Sequence, residues 1–211
     1  LDLIGVGTEY DFIREMALER RGLQGRMVVN DQTGISYPVY EVQDSPLVSI
    51  IIPSKDNVEI LKQCIRSVYE HTTYPNYEII VVDNGSSAQA RMALQNFQEE
   101  CAFAYLYEPM DFNFSVMCNL GAKKAGGEYL LLLNDDMEVL ADCADWLERM
   151  VGQASLRHVG AVGAKLLYPN STLIQHVGVT NTISGPGHKL KGLDDTQSYY
   201  YGRNKLVYDM I

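Results

Sequence analysis

Glu128-Tyr129-Leu130-Leu131-Leu132-Leu133-Asn134-Asp135-Asp136-Met137-Glu138 is the stretch on which the fold turns. Tyr129 to Leu133 is apolar without alternation, the pattern of a strand buried on both faces, and two adjacent carboxylates follow almost at once. Charge at the end of a buried strand needs a reason. In open α/β sheets ligands sit outside the carboxyl ends of the strands, so this reading puts Asp135 and Asp136 where a substrate binds. Mg2+ and Mn2+ take oxygen ligands and commonly bridge protein carboxylates to a substrate diphosphate, so a hard divalent cation is the cofactor such a pair suits. A solvated turn after a core strand is the competing reading for the two carboxylates alone.

The sequence before this stretch alternates strand and helix patterns, which predicts βαβ units and a mostly parallel sheet. Leu47 to Ile52 reads as the first buried strand, closed by Pro53-Ser54. Asp56 and Glu59 stand at capping-box spacing before a helix whose apolar stripe is Ile60, Leu61, Cys64, Ile65, Val68 and Tyr69. Tyr77 to Val82 is the second strand and ends on Asp83-Asn84-Gly85-Ser86-Ser87. A helix with Ala90, Ala93, Leu94 and Phe97 on one face follows, then a third strand around Phe103 to Tyr107. Ser115 is placed to cap a short helix that carries Asn119 and stops at Gly126-Gly127. Parallel strands bring their C-terminal ends to one edge, so Pro53-Ser54, the Asp83 turn and Asn134-Asp135-Asp136 are expected to converge on a nucleotide-sized site.

Outside this region the signals are weaker. Residues 1–45 read as a prefix: a short amphipathic helix with Phe12, Ile13, Met16 and Ala17, then a hairpin around Asn30 to Gly34. Gly5-x-Gly7 follows no strand and lacks a third glycine, so it is a poor dinucleotide fingerprint. Downstream, Cys143, Leu147, Met150 and Val151 form the core face of a helix, and Val159 to Tyr168 and Leu173 to Val179 read as strands. His188 and Lys189 lie in Gly185-Pro186-Gly187-His188-Lys189, a mobile-looking loop of the kind that closes over a diphosphate. Tyr199-Tyr200-Tyr201-Gly202-Arg203 reads as a packing or interface segment, or as an aromatic acceptor platform.

Length and composition bound the answer. The 211 residues are enough for one α/β domain with a small appendage, and 46% hydrophobic with 21% charged residues is ordinary for a globular chain. A formal net charge of −10 argues against nucleic acid as a partner, because phosphate backbones are gripped by Lys and Arg. The cysteines, Cys64, Cys101, Cys118 and Cys143, are scattered among apolar residues with no C-x-x-C pair and read as buried free thiols of a reducing compartment. No apolar run approaches the roughly 20 residues of a membrane-spanning helix, and no signal peptide is evident. The chain opens on Leu1, so a piece of something longer is expected.

Val48 to Pro53, Tyr77 to Ser86, Asn113-Phe114-Ser115, Asn119-x-Gly121 and Gly127-Glu128 through Asn134-Asp135-Asp136 together resemble the family 2 glycosyltransferases of the GT-A fold. The nearest flavour is that of bacterial rhamnosyltransferase-like, O-antigen and capsule enzymes, and the likeness covers roughly residues 46–208, taken as one domain, 46–211. The resemblance implies an inverting transfer of a sugar from a UDP-, dTDP- or GDP-linked donor to a glycan or lipid-linked acceptor, in the bacterial cytoplasm or at the inner face of the plasma membrane. Pro53 and Ser54 would edge the nucleobase pocket, Asp83 would accept a hydrogen bond from the base, and Asn119 would join the nucleotide site. Asn134 stands where the family's D-x-D motif has its first Asp. Asp135 would address the ribose or the metal shell and Asp136 would ligate Mg2+ or Mn2+ directly, with His188 as a further candidate ligand and His176 and Lys189 as donor-loop residues.

An inverting transferase needs a general base for the acceptor hydroxyl, normally a carboxylate. In the resembling family it follows a further strand and a Gly-Gly-Phe-Asp-like phrase, which does not occur before Ile211, so the base is expected beyond that residue and Asp194, Asp195 and Asp209 are candidates only by default. A homodimer is expected if the missing segment leaves an apolar surface for a second copy to cover. The competing function classes are a non-catalytic nucleotide-sugar-binding or scaffold module and a sugar-nucleotide pyrophosphorylase. Pro53-Ser54-Lys55-Asp56 supplies no glycine- and arginine-rich phosphate loop for the latter, and the P-loop pattern G-x-x-x-x-G-K is absent.

Overall fold

The computed structural model describes residues 7–29, 36–183 and 185–197. They fall into two compact units, one formed by the residues up to Glu41 with those from Gly152, the other by Val42–Val151. This division differs from the expected 1–45 and 46–211 in grouping the C-terminal residues with the N-terminal hairpin.

The first unit begins with helix α1, Gly7–Arg20, and an antiparallel hairpin of β1, Gly25–Val29, and β2, Ser36–Tyr40. Leu18 is the buried residue of α1, while Phe12, Ile13 and Met16 of the expected apolar stripe are exposed.

The second unit runs β3 (Val48–Ser54), α2 (Val58–Glu70), β4 (Tyr77–Asp83), α3 (Ala88–Phe97), β5 (Ala104–Tyr107), α4 (Phe114–Lys124) and β6 (Tyr129–Leu132). The strands form one parallel sheet in the order β5-β4-β3-β6. Ile50, Ile51 and Ile52 of the central β3 are fully buried and alternate between two cores. Ile50 and Ile52 meet Leu61, Cys64, Ile65 and Val68 of α2 and Leu94 and Phe97 of α3; Ile51 joins Ile80, Val82 and Met117 on the opposite face. Helices on both faces cover the apolar surfaces that a parallel sheet cannot expose. Gly121 lets α4 close on β3, since a Cβ there would lie 2.4 Å from Ile51 Cγ2.

The start of β6 is fixed by a small polar network. Ser49 Oγ donates to Glu78 Oε1 at 2.6 Å and accepts from Gly127 N at 2.9 Å, while Gly126 N donates to the same Glu78 oxygen at 2.7 Å. Beyond β6 come a short 3-10 helix, Ala141–Cys143, and α5, Trp146–Ala154. Val139 N donates to Ser67 Oγ at 3.0 Å, Gln63 Nε2 to Glu138 Oε2 at 3.1 Å and Trp146 Nε1 to Thr72 Oγ1 at 3.0 Å, so the segment after the acidic tip is tied to α2 and its end.

Several expectations are corrected. β6 is not buried on both faces: Tyr129, Leu131 and Leu133 pack on the core, but Leu130 and Leu132 are 51% and 52% exposed. The strand lies at the sheet edge and the helix on that side, α4, packs on β3 and β4 instead. Asp56 forms no capping box; α2 is capped at Asn57 without a side-chain bond. Asp56 instead adopts φ 57° and reaches across to the β4 turn, donating its N–H to Ser86 Oγ and accepting from Ser87 N, each at 2.8 Å. The cap of α4 is Asn113, whose Oδ1 accepts from Val116 N at 3.1 Å, and not Ser115. Asn113→Ala is therefore expected to lower stability by about 1 kcal/mol in chemical denaturation.

In the first unit, residues 159–165 form no strand, and only β7, Leu166–Leu167, pairs with β8, Ile174–His176. Val159-Gly160-Ala161-Val162-Gly163-Ala164 offers little side chain to pack, so the apolar composition alone does not make a ladder. The run Leu173 to Val179 breaks at Gly178, φ 115°, into β8 and β9, Val179–Thr182. The expected mobile loop is β10, Gly185–His188, paired antiparallel with β9. Cys64 and Cys118 are buried as expected, but Cys101 is half-buried and Cys143 exposed in the 3-10 helix; all are free thiols. The Tyr199-Tyr200-Tyr201-Gly202-Arg203 segment, Asp209 and the hairpin loop around Asn30 lie outside the described residues. Among the described residues no helix is long and apolar enough to cross a membrane.

Candidate functional site

The tips of β3, β4 and β6 open onto a cleft of about 350 Å3 within the second unit. It is lined by Pro53, Ser54, Lys55 and Asn57 after β3, Asn84 after β4, Phe112, Phe114 and Met117 around the start of α4, and Asn134, Asp135 and Asp136 after β6. The chain proceeds from β3 to β4 and β5 on one side and returns to β6 on the other, so the cleft lies where the strand order reverses.

Of the residues expected in a nucleotide and metal site, Pro53, Ser54, Asn134, Asp135 and Asp136 meet here. Ser54 Oγ donates to Asp135 Oδ2 at 2.6 Å, and Asn57 Nδ2 donates to the same oxygen at 3.3 Å. Asp135 is thus oriented through one oxygen, with Oδ1 left to other partners. Asp136 is exposed. Cys64 lies beneath the acidic tip, its Sγ directed at Asn134 O at 3.7 Å. Burial first, then the charges of Asp135 and Asp136, push its thiol up to about 12. Iodoacetamide at pH 8 is accordingly expected to modify the exposed Cys143 well before Cys64, as mass spectrometry of the native chain would show.

Asp83 is brought to the same edge but does not line the cleft. It is buried, and its Oδ1 accepts from Gly85 N at 2.9 Å and Ser86 N at 2.7 Å while Tyr105 OH donates to Oδ2. Burial, followed by that hydrogen bond to Asp83, raises the Tyr105 phenol well above its ordinary range. The residue of this turn that does line the cleft is Asn84, buried, with Nδ2 donating to Met110 O at 3.4 Å and Oδ1 without a partner. Asn119 is exposed on α4 and is not a lining residue. Sequence reading missed Asn57, Lys55, Phe112 and Phe114, and placed Asn84 at the site only as part of the Asp83 turn. The signal available for Asn84 was its place after a buried strand ending in Asp83.

In the first unit, His176 of β8 and His188 of β10 meet with Nδ1 atoms 2.8 Å apart and ring planes at 82°. Burial, and then the neighbouring imidazole, lowers the pKa of His176. Lys189 follows, its N–H donating to Gly178 O at 3.0 Å. Asp194 Oδ1 accepts from Thr196 N and Oγ1 within its turn, and Asp195 is paired with Lys165 at 2.7 Å.

Among the described residues no group of three metal-ligating side chains is assembled in advance. The acidic tip nonetheless fits a hard cation that retains water and takes its remaining ligands from a bound diphosphate, because such a site asks only one or two carboxylates of the protein. Asp136 and the remaining oxygen of Asp135 are the cleft oxygens that could belong to such a donor set.

Residues 49–202 match the family described as glycosyl transferase family 2. The chain is 40% identical over 162 residues to the O-antigen biosynthesis protein RfbC of Myxococcus xanthus, a match that covers 76% of this chain and 12% of that protein. It is 32% identical over 130 residues to the glycosyltransferase AglE of Haloferax volcanii, covering 59% of this chain and 41% of that one. The matched part of the chain thus spans less than half the length of either relative. Among solved structures it is similar to the mannosyltransferase PcManGT from Pyrobaculum calidifontis in complex with GDP-Man and Mn2+, with a TM-score of 0.50 and 20% identity over 71% of this chain and 41% of that one.

Proposed function

Because the chain belongs to glycosyl transferase family 2 and has the GT-A fold, we propose that the cleft at the tips of β3, β4 and β6 binds the nucleoside diphosphate of a sugar donor, whose sugar passes with inversion to an acceptor hydroxyl. The observation that carries this reading is the meeting of Ser54, Asn84 and Asn134-Asp135-Asp136 around one cleft. The name of the RfbC relative, an O-antigen biosynthesis protein, supports a role in the building of a surface polysaccharide; a glycan or lipid-linked acceptor and a place at the cytoplasmic side of the membrane belong to the same proposal.

Asp136, with Oδ1 of Asp135, would hold Mg2+ or Mn2+, a pairing supported by the GDP-Man and Mn2+ of the PcManGT complex. Such a cation supplies charge neutralisation to the departing diphosphate. Ser54 and Asn57 keep Asp135 in one orientation, so that its free oxygen is ready for a ribose hydroxyl or for the metal shell without reorganisation. Asp83 holds the Gly85-Ser86 turn and thereby sets Asn84, rather than meeting the base itself. Exposed Asn119 stays in this reading as a nucleotide-site residue, while His188, the further candidate metal ligand, and His176 and Lys189, the donor-loop candidates, belong to the first unit.

Calorimetric titration of UDP, dTDP and GDP, each with and without Mn2+, tests the proposal. Binding of one of them that requires the metal is expected. A folded chain that binds none of the three under either condition would leave the cleft without a donor role.

A further inference from the structure

Phe112 and Phe114 are 76% and 43% exposed, yet both line the cleft, where with Pro53 and Met117 they supply its apolar lining beside the polar lining of Asn134, Asp135 and Asp136. Single exposed apolar side chains are ordinary, but two phenyl rings converging on one concavity are not. Their backbone is held on both sides. Met110 N donates to Asn84 O at 3.3 Å and Asn84 Nδ2 returns to Met110 O at 3.4 Å, while Asn113, between the two rings, caps α4. Met117, 1% exposed, anchors the same helix in the core. The rings are thus presented from a fixed segment, which lowers the ordering cost of binding.

We propose that Phe112, assisted by Phe114, is the platform on which the nucleobase of the donor stacks. The inference rests on the donor reading above and names the side chains that meet the base. Adjacent strands lie about 4.8 Å apart, so the tip of β4 and the tip of β6, with β3 between them, are separated by roughly 10 Å. That separation suits the distance between a base and its diphosphate, with the base on the β4 side beside the phenyl rings and the diphosphate on the β6 side beside Asp136. The assignment of ends follows from chemistry. A flat, weakly hydrated ring gains from an aromatic face, whereas a sugar needs hydrogen-bond partners that the β6 wall offers and the phenyl wall lacks.

The test compares the full chain with Phe112→Ala and Phe112→Trp, titrated at saturating Mn2+ with UDP, dTDP, GDP and inorganic pyrophosphate. Phe112→Ala is expected to weaken the nucleotide that the wild type binds roughly tenfold, as loss of one stacking partner does, and to leave pyrophosphate affinity within about twofold. Phe112→Trp is expected to keep nucleotide affinity. Because the side chain is so exposed, the substitution leaves the core untouched, and circular dichroism checks this. Unchanged nucleotide affinity in Phe112→Ala, or an equal loss for pyrophosphate, would overturn the platform while the donor site stands. Failure of the wild type to bind any of the three nucleotides would overturn the donor reading and the platform with it.

Discussion

Asp136→Ala is expected to weaken metal-dependent nucleoside diphosphate binding by on the order of 100-fold or more, since loss of a direct ligand exceeds the cost of losing an outer-shell partner. The exposed side chain contributes to no core, so the variant should unfold at the wild-type midpoint. Asp135→Asn should cost less. It loses charge and keeps one acceptor oxygen: if that oxygen accepts from Ser54 Oγ and Asn57 Nδ2, an NH2 group faces the cleft, and if it faces the cleft, the NH2 group meets two donors. Calorimetry with Mn2+ on the two variants would read the difference. Equal, small losses at both positions would contradict the division of roles between the carboxylates.

Gly127→Ala is expected to destabilise the second unit by about 3 kcal/mol, read as a lowered urea midpoint with an unchanged slope. A Cβ at this position would lie 2.6 Å from Ser49 Oγ and 2.7 Å from both Leu47 O and Ser49 N. The latter two are backbone atoms of the central strand's entry and cannot swing aside as a side chain can. Relief would require moving the start of β6, which breaks the Gly127 N to Ser49 Oγ bond and displaces the strand that carries Asn134, Asp135 and Asp136. Nucleotide affinity should therefore fall with stability, although Gly127 lies at the opposite end of β6 from the cleft. A wild-type midpoint would contradict the close approach of β6 to β3.

The buried strands were legible because nothing else in a globular chain needs Val48-Ser49-Ile50-Ile51-Ile52 or Ile79-Ile80-Val81-Val82, and their polar ends located the cleft. What a run of leucines does not disclose is whether a neighbour exists on each side, so β6 was expected buried on both faces when Leu130 and Leu132 face outward at a sheet edge. Asp56 illustrates a different limit. Its spacing from Glu59 imitates a capping box, yet a left-handed backbone turns it toward Ser86 and Ser87, about 30 residues away in sequence, an outcome that local spacing does not encode. Asp83 and Asn84 show the same limit within the site. Both end a buried strand, but the turn takes Asp83 inward to bind Gly85, Ser86 and Tyr105, and leaves Asn84 against the cleft. Gly185 to His188 looked loop-like by composition; a pairing partner in β9 makes it a strand.

The most direct test of the central claim is anomalous diffraction at a manganese-sensitive wavelength from crystals grown with Mn2+ and the nucleoside diphosphate that calorimetry selects. The account predicts a metal peak at coordination distance, about 2.1 Å, from a carboxylate oxygen of Asp136, bridged to the diphosphate, with the base on the β4 side of the cleft. A metal peak away from the β6 tip, or a nucleotide bound outside this cleft, would contradict it.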